Sequence, residues 1–188
     1  MAYYTQEQLE NMGFSSLGKS VKISDKACLY SPELMEIGDY SRIDDFCVLS
    51  GRLRIGAHVH IAPFCLVAGG VHGIVMEDFS GLAYQVQVFT QSDDYSGRSM
   101  TNPTVPSQYK QESKKPVRIG RHVIIGAGSI VFPGVDLADG CSVGAMTLVA
   151  SSTEPWGIYV GNPARRLKDR KRDLLDLERK MQQERDSK

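Results

Sequence analysis

One polar stretch of the chain, from Phe89 to Lys110, carries many side chains of types that can bind polar ligands or transfer protons. It reads FTQSDDYSGRSMTNPTVPSQYK and interrupts a chain that is otherwise regular. Long structureless loops are uncommon in compact domains unless they serve a function. Binding and catalytic residues are often found on loops held by a rigid scaffold. The residues of chemical interest in this loop are Asp93, Asp94, Tyr95, Arg98 and Asn102.

The histidines and cysteines do not form a metal-binding pattern. The cysteines stand far apart without a CxxC motif, and no pair of histidines has metal-ligand spacing. We therefore expect neither a bound metal nor a disulfide framework. The cysteines are Cys28, Cys47, Cys65 and Cys141, and the histidines are His58, His60, His72 and His122.

Length and composition indicate one soluble domain. The chain has 188 residues, and its 22 Lys and Arg balance its 22 Asp and Glu. This balance gives no reason to expect nucleic acid or an anionic membrane as a partner. The start, MAYYTQEQLENMG, has no basic segment followed by an apolar run, and no long apolar stretch follows. We expect a cytoplasmic protein.

A six-residue repeat organises most of the chain. An aliphatic residue returns every six positions, and a smaller or β-branched residue follows four positions later, as at Cys47 and Cys65. A helix would repeat its apolar face at three and four residues, and a strand alternates by two. Each hexapeptide can instead form one side of a triangular coil, so that stacked coils bury a continuous aliphatic column. The column residues are Leu17, Ile23, Leu29, Ile37, Ile43, Leu49, Ile55, Ile61, Val67, Met76, Leu82, Val88, Ile119, Ile125, Val131, Leu137, Val143 and Val149.

This pattern predicts an all-β fold, a left-handed parallel β-helix of about six coils with a protruding loop and a C-terminal α-helix. Residues 1–16 are expected to form a short helix and lead-in, with Thr5 and Gln8 as a capping box. The β-helix is expected at 17–162, with the loop at 89–118. Residues 163–188 are expected to form the C-terminal helix, with Leu167, Leu174, Leu177 and Met181 on one stripe.

Several motifs resemble a known family. The double column, VIIGAGSIVFPGV and the ending WGIYVGNPARRLK are similar to hexapeptide acyltransferases, in the branch of the maltose, galactoside and xenobiotic acetyltransferases. Within that branch, RIDDF and SDDYSGRSMTNPTVP resemble sugar acetyltransferases of surface polysaccharide synthesis, including those acting on nucleotide-linked 4-amino-4,6-dideoxyhexoses. The resemblance covers Leu17 to Lys168. It implies a homotrimer, acetyl-CoA as co-substrate, and active sites in the clefts between neighbouring β-helices.

The resemblance also indicates the acceptor site. The family's usual base is a histidine before a proline at the entry to the loop, but Asp93 and Asp94 stand in those places here. An unperturbed Asp, with a pKa of about 3.9, is a weak base for an alcohol, whereas an amine needs little help to lose its proton. The departure thus favours an amino sugar, with Asp93 and His72 as catalytic candidates. Further candidate substrate contacts are Asp94, Tyr95, Tyr84, Asp45 and His60.

The resemblance places coenzyme A along small residues and a basic segment. Ala127 and Ala145 match positions where the pantetheine runs close to the backbone, and the adenosine end meets a matching turn. Cationic side chains after GNPA would pair with phosphates. The remaining residues of this expected site are Ala150, Ser151, Arg165, Arg166 and Lys168.

The sequence leaves three functions open. The first is an acetyl-CoA-dependent N-acetyltransferase acting on a dTDP-linked amino-deoxyhexose for O-antigen or capsule synthesis. The second is sugar O-acetylation, with His72 or another imidazole as base. The third is a noncatalytic trimeric scaffold, because Asp93 replaces the family's histidine.

Overall fold

The chain winds into a parallel β-helix, of which the computed structural model describes residues 2–186. Two helices lie near its ends, α1 (Gln6–Asn11) and α2 (Leu174–Asp186), with short 3-10 helices at Pro32–Leu34 and Ser107–Tyr109. The strands, in chain order, are β1 (Ser16–Leu17), β2 (Lys22–Ile23), β3 (Cys28–Tyr30), β4 (Met35–Ile37), β5 (Arg42–Ile43), β6 (Val48–Ile55), β7 (His60–Ile61), β8 (Leu66–Met76), β9 (Gly81–Leu82), β10 (Gln87–Phe89), β11 (Gln91–Asp93), β12 (Glu112–Lys114), β13 (Val117–Ile119), β14 (Ile124–Ile125), β15 (Ile130–Val131), β16 (Asp136–Leu137), β17 (Ser142–Val143), β18 (Leu148–Val149), β19 (Gly157–Val160) and β20 (Arg165–Asp169).

Each complete coil contributes a strand segment to each of three faces, and equivalent residues stack in register. Strands β6 and β8 run around a corner, so each contributes to the first and third faces. The stacked residues are Leu17, Ile37, Ile55, Met76, Ile119 and Leu137 on the first face, Ile23, Ile43, Ile61, Leu82, Ile125, Val143 and Tyr159 on the second, and Leu29, Leu49, Val67, Val88, Val131 and Val149 on the third.

These three columns form the core that the repeat predicts. Every predicted column residue is buried except Leu17 and Leu29, which are partly buried and pack against the others. Burying one aliphatic side chain contributes roughly 1.5–3 kcal/mol, so the stack stabilises strands that would be too short to form alone. The prediction of a parallel β-helix of about six coils is confirmed, and β19 adds one strand beyond the sixth coil.

The protruding loop has a hairpin at its base. The chain leaves the β-helix after Phe89, the last residue of β10, and returns at Val117, so the loop is shorter than the predicted 89–118. Strands β11 and β12 pair antiparallel, and we call this pair the loop hairpin. Thr90 anchors its base, because its buried hydroxyl donates a hydrogen bond to the Gly69 carbonyl at 2.8 Å.

The predicted C-terminal helix over 163–188 is wrong in its first part. Arg165–Asp169 forms β20, which pairs antiparallel with β19, and α2 begins only at Leu174. Without β20, backbone groups on the outer side of β19 would have no partners. The need to pair them outweighs the helical preference of this segment. Leu167 and Leu177 of the predicted apolar stripe are exposed. Residues 187 and 188 of this prediction, and Met1 of the predicted lead-in, lie outside the described residues.

Helix α2 docks on one corner of the β-helix mainly through charged side chains. The Arg185 guanidinium lies 4.7 Å from the centroid of the Tyr40 ring. Glu178 contacts Arg121, and its Oε2 lies 2.6 Å from His122 Nε2. The rings of this corner stack at centroid distances of 5.0, 4.8 and 5.1 Å in the order Tyr40, His58, Phe79 and His122.

Helix α1 begins with the predicted capping box. The Thr5 hydroxyl accepts a hydrogen bond from the Gln8 backbone N–H at 3.2 Å, and the Gln8 side chain accepts one from the Thr5 N–H at 2.8 Å. Leu9 is buried against the first coils. Neither α1 nor α2 has the length and apolar character needed to cross a lipid bilayer.

Candidate active site

The loop hairpin and the third face enclose a cleft of about 530 Å³, which we call the loop cleft. The floor includes Phe89 and Phe132, whose ring centroids are 5.6 Å apart. These side chains point outward because their neighbours Val88 and Val131 point into the core. The full lining is Gln87, Phe89, Gln91, Ser92, Asp93, Tyr95, Pro103, Glu112, Ile130 and Phe132.

Asp93 is the carboxylate of the loop cleft that is available to a ligand. It ends β11, is half-buried and lies opposite Glu112 in the loop hairpin. Within residues 2–186, its carboxylate has no hydrogen-bond or ion-pair partner, and only its backbone oxygen accepts a bond, from Ser92 Oγ. A partly buried carboxylate without a partner can receive a proton or hold a cation.

The next two residues differ in their availability. Asp94 accepts hydrogen bonds from the Ser96 N–H and hydroxyl at 2.9 Å each and from the Ser99 hydroxyl at 3.1 Å. The bonds from Ser96, followed by the one from Ser99, lower the pKa of Asp94. Asp94 therefore holds the shape of the loop, and it does not line the loop cleft. Tyr95 does line the cleft, and at 89% exposure its ring is free to cover a ligand.

His72 and Asp93 line different clefts. It is exposed in the bulge of β8 and lines a separate cleft of about 370 Å³ together with Arg52 and Glu33. The two clefts share no lining residue. Within one chain the two candidates thus line different clefts, and a shared role of His72 and Asp93 stays a prediction. The two residues leave the β-helix on different coils, and the loop hairpin leans over the third face.

His60 belongs to a polar cluster on the second face. Its Nε2 lies 2.8 Å from Oδ2 of Asp44, a residue that is 1% exposed. Arg42 donates to the same carboxylate from Nε at 2.6 Å and from Nη2 at 2.9 Å. Burial alone would raise the pKa of Asp44, but the hydrogen bonds from Arg42 and His60 bring it below its usual value. The ionised Asp44 thus orients the His60 ring.

Asp45 and Tyr84 lie at the corner between the second and third faces. Asp45 accepts a hydrogen bond from the Ser24 hydroxyl and lies 3.8 Å from Lys26 Nζ. Tyr84 is 60% exposed at the same corner of a later coil, and its carbonyl accepts from the Gly128 N–H. Neither residue lines the loop cleft of its own chain.

The predicted coenzyme A positions Ala127 and Ala145 share this corner. The Met146 N–H donates to the Ala127 carbonyl at 2.8 Å, so the two alanines stack on successive coils. Beside them a groove of about 270 Å³ shares Ile130 and Phe132 with the loop cleft. The groove and the cleft therefore adjoin at these two residues of the third face. The lining of the groove is Gly128, Ile130, Phe132, Met146, Thr147, Leu148 and Asn162.

The predicted phosphate contacts lie on β20 rather than at the start of a helix. Arg165, Arg166 and Lys168 are exposed, and Arg166 Nη2 donates to Asp169 Oδ1 at 2.5 Å. Ala150 and Ser151, expected near the adenosine, are also exposed, just after β18. The structure thus leaves Arg165 and Lys168 more available to a ligand than Arg166.

Sequence reasoning missed several residues of the loop cleft. Phe89 and Phe132 carry a signal that was available, because each follows a buried column residue by one position and must point outward. Glu112 carries no such signal. It reaches the cleft only because the loop folds back as a hairpin and places it opposite Asp93. Within residues 2–186, no group of three or more His, Cys, Asp or Glu is arranged to hold a metal ion.

Residues 116–146 match the family model described as the hexapeptide repeat of succinyl-transferase. The chain is 41% identical over 181 residues to the dTDP-4-amino-4,6-dideoxy-D-glucose acyltransferase of Escherichia coli, covering 95% of this chain and 94% of that protein.

Solved structures give the same result. The N-acyltransferase AntD from Bacillus cereus, in complex with dTDP and 3-hydroxybutyryl-CoA, is 44% identical with a TM-score of 0.97, covering 98% of both chains. A maltose O-acetyltransferase from Clostridium difficile 630 shares the fold at 23% identity and a TM-score of 0.61, covering 89% of this chain and 75% of that one. This chain belongs to the hexapeptide-repeat acyltransferases.

Proposed function

We propose that this protein transfers an acetyl group from coenzyme A to the amino group of a dTDP-linked 4-amino-4,6-dideoxyhexose. The observation that carries the proposal is the Asp93 carboxylate, which has no partner among the described residues and faces the loop cleft. An ammonium or amine is the group that such a carboxylate best receives. The relatives support the nucleotide sugar, since one is named for dTDP-4-amino-4,6-dideoxy-D-glucose and a mutant of AntD has been solved with dTDP-4-amino-4,6-dideoxyglucose.

In the proposed reaction the sugar nitrogen attacks the thioester carbonyl carbon. A C–N bond forms, the C–S bond breaks, and the amine loses one proton while the departing thiolate gains one. In this proposal Asp93 accepts that proton and orients the amine for attack. Tyr95 can cover the sugar from the loop side of the cleft.

The donor is proposed to lie along the groove beside Ala127 and Ala145. Small side chains at this corner allow the pantetheine to approach the backbone, and Arg165 and Lys168 are exposed for the phosphates. The acetyl group is the first candidate. Because AntD was solved with 3-hydroxybutyryl-CoA, a larger acyl group is tested beside it.

We further propose a homotrimer with each site between two chains. One corner of the β-helix exposes Phe46, Phe64 and Met146 at 50%, 56% and 75%, and the two phenyl rings stack with centroids 5.1 Å apart. Exposed apolar side chains along one edge are typical of an interface. Trimer formation would bring His60, Tyr84 and Asp45 of one chain towards the loop cleft of the next.

The proposed location is the cytoplasm, and the proposed use of the product is surface polysaccharide synthesis. All four cysteines are free thiols, as is usual in a reducing compartment. The amide product would be a nucleotide sugar ready for a glycosyl-transfer step.

The proposal is tested by measuring thiol release from acetyl-CoA and 3-hydroxybutyryl-CoA. The acceptors are dTDP-4-amino-4,6-dideoxyglucose and the matching nucleotide sugar with a hydroxyl in place of the amine. Turnover with the amine alone is expected. Turnover with neither acceptor, together with no calorimetric binding of coenzyme A, would favour the scaffold.

Sugar O-acetylation is a second candidate, favoured by the pairing of His60 with Asp44. A buried carboxylate that orients an exposed imidazole is an arrangement suited to a general base. Preferential acetylation of the hydroxyl acceptor, lost in His60→Asn, would support this candidate over the first.

The shared site is tested by mixing inactive chains. Asp93→Asn and a variant with both Tyr84→Ala and His60→Ala are each expected to lose most activity. Co-expressed chains should recover part of it, because some interfaces then contain an intact half from each chain. No recovery in mixed trimers would contradict a site formed by two chains.

A further inference from the structure

The loop hairpin places a second carboxylate beside the acceptor site. Asp93 and Glu112 are directly opposite in the antiparallel register of β11 and β12, and both line the loop cleft. Directly opposite residues point to the same side of a sheet, with Cβ atoms about 4.5–5.5 Å apart. Glu112 therefore shares the immediate surroundings of the Asp93 carboxylate.

Unlike Asp93, Glu112 is fully occupied. Its Oε1 accepts from Gln91 Nε2 at 2.7 Å and lies 3.4 Å from Lys110 Nζ, and its Oε2 lies 2.7 Å from Lys114 Nζ. The side chain is only 14% exposed. The hydrogen bond from Lys114 is the largest of the effects that lower the pKa of Glu112, so this carboxyl stays ionised.

The two lysines are also neighbours of Asp93. Lys110 and Lys114 stand two residues before and after Glu112, and the backbone at Lys110 is extended, with φ −114° and ψ 148°. Side chains alternate along an extended chain, so both lysines share the face of Glu112. Diagonal neighbours across an antiparallel pair are about 7–8 Å apart, within reach of a long side chain. Either ammonium could pair with Asp93, yet in the structure both pair with Glu112.

We propose that Glu112 is a positioning residue that holds Lys110 and Lys114 away from Asp93, so that the Asp93 carboxylate remains free for the amine of the acceptor. This inference rests on the proposed function. Without the Glu112 charge, a lysine would compete with the substrate for Asp93. A lysine paired with Asp93 would weaken recognition of the amine and leave the contacts with the nucleotide intact.

The experiment compares four proteins, namely the wild type, Glu112→Gln, the pair Lys110→Met with Lys114→Met, and all three changes together. Calorimetry measures binding of dTDP-4-amino-4,6-dideoxyglucose and of dTDP. Glu112→Gln is expected to weaken binding of the amino sugar about 5- to 10-fold, the size of a partly buried charge interaction, and to leave dTDP binding unchanged. The triple variant should recover most of the loss, because no lysine remains to occupy Asp93.

A purely structural role for Glu112 gives a different pattern. If Glu112 only held the hairpin together, the triple variant would bind as weakly as Glu112→Gln, and dTDP binding would fall too. Either that pattern or wild-type binding by Glu112→Gln would overturn the inference. Thermal unfolding of all four proteins checks that the fold is retained.

A crystal structure of Glu112→Gln separates this inference from the proposed function. A lysine ammonium is expected within about 4 Å of the Asp93 carboxylate, the usual limit for an ion pair. This contact can form whether or not the protein binds an amino sugar. If the wild type binds neither ligand, the proposed function fails, whereas lysines that stay away from Asp93 in the variant refute the shielding itself.

Discussion

Asp44 and His60 form a hydrogen bond that runs from the core to the surface of the second face. Asp44 Oδ2 lies 2.8 Å from His60 Nε2, and the aspartate is almost completely buried while the His60 side chain is 49% exposed. Arg42 reaches the same carboxylate from the other side. The Tyr3 hydroxyl also donates to Asp44 Oδ1, at 3.4 Å. The fold thus holds a buried carboxylate that contacts several side chains nearer the surface.

Removing the Asp44 charge is expected to destabilise the protein and to make its free energy of unfolding depend less on pH in the acid range. The folded-state pKa of Asp44 lies below its ordinary value of 3.8. The stabilisation is therefore present above that pH and lost as pH falls through the folded-state value. Asp44→Asn should cost about 1–3 kcal/mol near neutral pH. Urea unfolding from pH 7 to 2 should show a smaller loss of stability below about pH 4 in the variant, and equal slopes would contradict this.

Asp93→Asn is expected to impair catalysis without affecting stability. Its carboxylate has no partner among residues 2–186, so the fold loses nothing, whereas general-base assistance is typically worth about 10²- to 10⁴-fold in rate. Steady-state kinetics with the amino sugar should show a rate lower by that factor. The free energy of unfolding, measured by thermal melting, should stay within about 0.5 kcal/mol of the wild-type value. The exposed Asp25, changed to Asn, serves as the matched control. Comparable activity in the two variants would exclude Asp93 from the reaction.

Glu178→Gln is expected to loosen helix α2. Glu178 and His122 are each about one-tenth exposed at the side chain, so their contact is poorly screened by solvent. We expect a loss of about 1–3 kcal/mol and faster proteolysis within α2. The matched control is Asp176→Asn, which removes an ion pair with Arg179 in which both side chains are about two-thirds exposed. That change should cost less than about 1 kcal/mol, and equal effects of the two changes would contradict the assignment.

Gly140→Ala is expected to be strongly destabilising because of Trp156. Gly140 has φ +72°, and an added Cβ would lie 2.4 Å from Trp156 Cδ2. Gly13 has a similar φ of +76° with no atom within 4 Å of the added Cβ. Gly13→Ala should therefore cost only the backbone strain, roughly 1–2 kcal/mol, and Gly140→Ala clearly more. Chemical unfolding measures the difference, which should vanish if Trp156 moves aside without cost.

In the C-terminal segment, the local spacing of apolar residues predicts the wrong secondary structure. The helical spacing of Leu167, Leu174 and Leu177 predicts one helix, but residues 165–169 pair with β19 instead. Local spacing reports the preference of a segment by itself. It contains no information on whether the last coil of a stack needs a partner for its backbone groups.

The sequence by itself determined the β-helix, because a period of six in side-chain size and hydrophobicity is satisfied by stacked triangular coils and by neither a helix nor a hairpin. It also singled out Asp93. Only the tertiary structure decided that the Asp94 carboxylate bonds within the loop, that His72 and Asp93 line different clefts of one chain, and that Glu112 faces Asp93 while pairing with two lysines. Asp93 and Glu112 meet only because the loop folds back on itself, and the six-residue repeat contains no information on the path of that loop.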